Sequence, residues 1–151
     1  MQTLSKAFGL AGIRCGFAIA NDDIIQLMNN VKAPYNVNKL TSEVALNAMN
    51  NLNVLENNVK ILLDQREKVA KALSKFEFVA KIFPSDSNFL LVRLQQKAKE
   101  VYVRMADLGV VVRYRGSEIH CSECIRITIG THEENLSCLK LLEKAYKDVT
   151  K

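Results

Sequence analysis

Close to the start of the chain, an amine, two hydroxyls and a guanidinium are interleaved with glycine: Thr3, Ser5, Lys6 and Arg14 alternate with Gly9, Gly12 and Gly16. The chain has six glycines in all, so half of them lie in this short run. Glycine at such density permits tight backbone turns and close approach of a ligand. Backbone N–H groups freed there, with the Thr3 and Ser5 hydroxyls, can bond phosphate oxygens, and Arg14 can take two of them in fork geometry. Lys6 sits among apolar sequence neighbours, whose desolvation favours the neutral, nucleophilic amine. The chemistry suggested is a phosphate held beside a reactive lysine. It is not that of a Walker A loop, because the pattern G-x-x-x-x-G-K-[ST] does not occur. On spacing alone, a structural turn with a solvated lysine explains these residues equally well.

Such residues need elements to position them. Phe17 to Ala20 reads as a short buried strand, and Asn21 caps a helix that runs through Met28 and Val31 and ends before Pro34. Asp22 and Asp23 suit the positive end of that helix. A second helix starts near Thr41. A third, from about Val54 to Leu73, carries Leu55, Val59, Leu62, Val69, Leu73 and Phe76 along one stripe and is long enough to connect two bodies. Beyond it, Phe78 to Phe83 and Phe89 to Leu94 are strand candidates on either side of the turn-like Pro84-Ser85-Asp86-Ser87-Asn88.

Lys97 to Leu108 reads as an amphipathic helix closed by Gly109, with Val110 to Arg113 and Cys124 to Ile129 as strands. The last helix opens at Thr131 with Glu134 three residues on, the spacing of a capping box, and turns Leu136, Leu139, Leu142 and Ala145 inward. The second half is therefore expected to be an α+β layer. The first half has a glycine-rich site but too few strands to complete a sheet, so further chain is expected on its N-terminal side.

Composition narrows the function classes. With 151 residues, 48% hydrophobic and 25% charged, the chain suits a soluble globular protein, and no apolar run approaches the roughly 18–20 residues of a membrane-spanning helix. The formal net charge is +5, but the lysines are scattered along helices and no basic run reaches the density of a nucleic-acid-binding motif. The four cysteines and the lack of a secretory start point to a reducing cytosol or organelle matrix, with a cytoplasmic location expected. Cys121 and Cys124 form a C-x-x-C pair beside His120, yet no second pair follows at finger-like spacing, so free thiols are expected and no metal.

The run from Thr3 to Phe17 resembles the cofactor-lysine motif of the fold type I aminotransferases, in the form found in the histidinol-phosphate aminotransferases. Ala33-Pro34-Tyr35, Ser87-Asn88-Phe89, Val111-Val112-Arg113 and the segment Ile125-Arg126-Ile127-Thr128-Ile129-Gly130-Thr131 resemble further segments of that family, in the same order. The resemblance implies an α/β fold. Residues 1–53 would hold the cofactor-lysine segment and the end of the large domain, 54–77 the connecting helix, and 78–151 the small C-terminal α+β domain. It also implies pyridoxal phosphate as cofactor and transamination of L-histidinol phosphate with 2-oxoglutarate in histidine biosynthesis, by a homodimer acting on small molecules.

Carried over by position, the resemblance makes Lys6 the lysine that holds the cofactor covalently and moves the proton. It gives Ser5, Arg14 and, less directly, Thr3 to the cofactor phosphate. Arg126 would pair with the carboxylate of glutamate or 2-oxoglutarate, and Arg113 would help recognise the substrate phosphate. The groups expected around the cofactor ring have no counterpart here, so the chain is expected to be the C-terminal part of such an enzyme, inactive alone. Competing readings are a part of a related enzyme, such as a threonine-phosphate decarboxylase or an aromatic aminotransferase, and an α+β interaction domain without activity.

Overall fold

A computed structural model describes residues 1–151. The chain divides into two compact units, Met1–Lys60 and Ile61–Lys151, and the division falls inside its longest helix.

In the first unit, strands β1 (Gln2–Thr3) and β2 (Gly16–Phe17) pair antiparallel, Gln2 opposite Phe17 and Thr3 opposite Gly16, and close off the glycine-rich loop between them. The strand expected over Phe17 to Ala20 thus ends at Phe17. It is exposed rather than buried, because a ladder of two residues covers neither face and Ile19 is 86% exposed. Helix α1 (Asp22–Val31) follows with Asn21 at its N-cap and both aspartates in the first turn, as expected. Asn21 is extended but its side chain makes no cap hydrogen bond. Helix α2 (Lys39–Met49) starts two residues before Thr41, because the Asn38 side chain accepts from the Thr41 N–H at 2.9 Å and so fixes the cap at Asn38. Helix α3 (Leu52–Leu73) then begins in this unit and runs into the next. Its stripe alternates as read: Leu55, Val59 and Leu62 are half-buried, and Val69 and Leu73 are buried.

The second unit is built around a four-stranded antiparallel sheet in the order β3-β4-β6-β5. Its strands are β3 (Val79–Ile82), β4 (Phe89–Leu94), β5 (Arg113–Tyr114) and β6 (Cys124–Thr128). Strict alternation along β4 sends Leu90, Val92 and Leu94 into the core, where Ile125 and Ile127 of β6 join them. Helices α4 (Ala98–Asp107) and α5 (His132–Thr150) cover that face with Val101, Met105, Leu142 and Ala145, and α3 adds Val69 and Leu73. Between α4 and α5, Arg104 donates twice to one Asp148 carboxylate oxygen, at 2.9 and 2.8 Å. That hydrogen bond holds the Asp148 carboxyl below its ordinary value.

Two details depart from the sequence reading. The Val110 N–H goes to the Met105 carbonyl at 3.0 Å, closing the end of α4 past Gly109 (φ +92°). The chain therefore joins the sheet only at Arg113, not at Val110. On α5 the capping box forms between Thr131 and Glu134, but Leu136 is 54% exposed and its neighbour Asn135 takes the buried position. Asn135 is satisfied there: it accepts from the Gly130 N–H at 2.9 Å and donates to the Gly130 carbonyl at 3.0 Å and to Gln65 at 3.2 Å.

Candidate functional site

The glycine-rich loop is organised around one buried side chain. Leu4 is 1% exposed, and its backbone spans the loop: its N–H donates to the Cys15 carbonyl at 3.1 Å and its carbonyl accepts from the Leu10 N–H at 3.0 Å. Gly9, at φ +70°, donates to the Lys6 carbonyl at 2.8 Å and turns the chain back. Gly16 has no alternative, since a Cβ there would stand 2.7 Å from the Gln2 carbonyl oxygen. These constraints put Thr3, Ser5, Lys6 and Arg14 on one small loop.

Within it, the Thr3 hydroxyl accepts from the Ser5 N–H at 3.1 Å, leaving its own proton to donate. Ser5 is half-buried. Arg14 adopts a left-handed backbone (φ 52°), and one guanidinium nitrogen donates to the Ala11 carbonyl at 3.1 Å. Lys6 is exposed, which corrects the expectation of a desolvated amine. Its sequence neighbours are apolar, but Ala7 is exposed and Phe8 and Leu10 are only half-buried, so apolar neighbours in sequence do not make a buried position here. Neither Lys6 nor Arg14 enters any of the chain's ion pairs.

The two substrate candidates lie in the second unit. Arg113 and Arg126 are direct cross-strand partners on β5 and β6 and so share one face of the sheet, opposite the core. Arg113 is exposed and Arg126 half-buried, its guanidinium 5.0 Å from the Phe89 ring centroid. Lys81 and Arg93, also cross-strand partners, lie on the same face, flanking the Phe83 ring at 4.8 and 5.3 Å. None of these four cations is in an ion pair. Like charges opposed across a ladder are unfavourable unless an anion sits between them, so this face is suited to an anionic ligand. The loop residues and the sheet arginines thus form two groups, each assembled within its own unit. Sequence reading passed over Phe83, Phe89 and Arg93. Phe89 stood in a quoted motif, but its contact with Arg126 depends on the register between β4 and β6.

The remaining nucleophiles have other roles. Cys124 is buried and its thiol donates to the Ser122 carbonyl at 3.5 Å, and no group of three or more potential metal ligands is gathered anywhere in the chain. Cys138 packs beside the core, and burial pushes its thiol up to about 11.

The family model and the solved structures that share this fold put the chain in the fold type I class of transferases. The chain belongs to the class I and II aminotransferases, whose family model matches residues 1–141. It is 45% identical to a histidinol-phosphate aminotransferase of Parabacteroides distasonis over 143 residues, covering 95% of this chain and 41% of that protein. It is 43% identical over 157 residues to that of Saccharomyces cerevisiae, covering 97% and 41%. Its fold matches the histidinol-phosphate aminotransferase of Sinorhizobium meliloti, solved in complex with pyridoxal-5'-phosphate, with a TM-score of 0.86 at 22% identity, over 97% of this chain and 40% of that one. The chain therefore spans about 41% of the length of these curated relatives. No helix is long and apolar enough to cross a membrane.

Proposed function

We propose that this chain carries the cofactor lysine and the substrate arginines of a pyridoxal-phosphate-dependent aminotransferase that exchanges an amino group between L-histidinol phosphate and 2-oxoglutarate. The observation that supports it most is the direct opposition of Arg113 and Arg126 on a sheet face without carboxylates, in a chain 45% identical to a histidinol-phosphate aminotransferase.

The loop residues fit the cofactor. Nothing lies within 4 Å of where a Cβ of Gly12 would stand, so this chain leaves open space beside the loop. Lys6 is exposed, and the Arg14 guanidinium makes one hydrogen bond, to the Ala11 carbonyl, so further donors remain for a phosphate. Pyridoxal phosphate, when bound, supplies the electron sink that lets a proton leave the substrate carbon. Lys6 would hold the cofactor covalently and, once released from it, would take up and return that proton. The Ser5 and Thr3 hydroxyls and the Arg14 guanidinium bind the cofactor phosphate. Arg126 orients the carboxylate of glutamate or 2-oxoglutarate by its planar fork, and Arg113 meets the phosphate of histidinol phosphate.

The working enzyme is a longer chain acting as a homodimer, with small molecules as its substrates and the cytoplasm, where thiols stay reduced, as its compartment. The 151 residues alone are inactive in this reading. The first unit supports that: Leu4 is its single buried residue, while Ile24, Leu27, Leu40 and Leu46 are all at least half exposed, a surface suited to cover by more protein. The test is reconstitution with pyridoxal phosphate at the length of the relatives. Visible absorbance of the bound cofactor and its bleaching by glutamate are expected, and a colourless protein would remove the reading.

A further inference from the structure

Two half-buried arginines share the outer face of the second unit's sheet, and they are held differently. Arg93 and Arg126 each bury an Nε that has no hydrogen-bond partner. Each also lays its guanidinium near a phenylalanine ring, Arg93 at 5.3 Å from Phe83 and Arg126 at 5.0 Å from Phe89. Arg93 is tied a second time, one guanidinium nitrogen donating to the His120 carbonyl at 2.8 Å, which commits it to the loop between β5 and β6. Arg126 has no such tie. It enters no ion pair, and its partner on β5 is Arg113, a like charge that pushes it away. The contact that the chain offers its guanidinium is the Phe89 ring.

The register produces that contact. Leu91 stands opposite Arg126 and Phe89 opposite Thr128, so Phe89 is the diagonal neighbour of Arg126 on the same face, within reach of a long side chain. A ring face attracts a guanidinium without using any of its N–H donors. It also removes rotamer freedom that binding would otherwise have to remove.

We infer that Phe89 is a positioning residue for Arg126: its ring fixes the plane of the guanidinium and leaves the donors free to take a substrate carboxylate in fork geometry. The inference rests on the reading of Arg126 as a carboxylate-binding arginine. Phe89 acts through Arg126 and has no chemical role of its own.

The test uses the protein completed to the length of its relatives and labelled with nitrogen-15, following the Arg126 Nε–H signal by NMR during titration with succinate, a simple dicarboxylate. In the unsubstituted chain this signal is displaced by the ring current of Phe89 and moves saturably with succinate. Phe89→Tyr keeps both properties. Phe89→Met loses the ring-current displacement and binds succinate roughly three- to five-fold more weakly, the size of one partly exposed cation–π contact. Phe89→Leu serves as a second non-aromatic variant, with unchanged Ile125 and Leu142 amide signals showing that the fold is kept. Equal succinate affinity with and without the ring overturns the inference and leaves the reading of Arg126 standing. No saturable response at Arg126 in the unsubstituted chain overturns both.

Discussion

Under the proposed function, charge divides the work among the arginines. Histidinol phosphate brings a phosphate and no carboxylate, whereas glutamate brings carboxylates and no phosphate, so one site has to serve both anions in turn. In the enzyme completed to the length of its relatives, Arg113→Ala is expected to damage the histidinol-phosphate half-reaction more than the glutamate half-reaction, by about 2–3 kcal/mol at most for a charge-assisted contact. Arg126→Ala is expected to damage both. Cofactor absorbance followed in each half-reaction separately measures this, and equal small effects of Arg113→Ala would place the phosphate elsewhere. A second residue-level expectation concerns stability. Asn135→Leu leaves the Gly130 N–H and the Gln65 carbonyl without their partner, and it should lower the unfolding free energy of the chain by about 1–3 kcal/mol in urea. The loop candidates Thr3, Ser5, Lys6 and Arg14 could be picked out together in the sequence because their motif is contiguous. The exposure of Lys6 and the seat of Arg126 on Phe89 could not, because they depend on which atoms meet in space.

Among the elements, those with strong local signals stand where the sequence put them. The alternation of Phe89 to Leu94, the stripe of α3 and the Thr131–Glu134 box are each produced by short-range rules and are each realised. Thr131→Ala should cost about 1 kcal/mol by leaving the Glu134 N–H uncapped, measurable by thermal or urea unfolding. Where the reading slipped, a neighbouring element had intervened. The end of α4 takes the Val110 N–H and delays β5, and the Gly130 backbone draws Asn135 inward ahead of Leu136. Helix α5 also carries a pH response. Its Cys138 thiol is pushed by burial from 9.0 to about 11. The folded state therefore holds that proton more tightly than the unfolded one, and the associated stability is complete below about pH 9 and is lost as pH rises towards about 11. Unfolding measured across that window should fall more steeply for the unsubstituted chain than for Cys138→Ala, and parallel slopes would contradict this.

On the scale of the whole molecule, the two units differ in what supports them. The second has a continuous core drawn from its sheet, α4, α5 and the end of α3. The first buries only Leu4 and leaves its helices' apolar residues open. Part of that contrast was legible in the first half's shortage of strands, but what meets the apolar faces of α1 and α2 was not, since an amphipathic pattern does not name its partner. The central claim is that Lys6 is the lysine to which pyridoxal phosphate attaches. It is tested most directly by loading the protein, completed to the length of its relatives, with pyridoxal phosphate, reducing with borohydride and mapping the modified lysine by mass spectrometry. The account predicts one pyridoxyl group per chain, on Lys6, with a Lys6→Ala variant left unlabelled. A label spread over the surface lysines, or one fixed at another position, would contradict it.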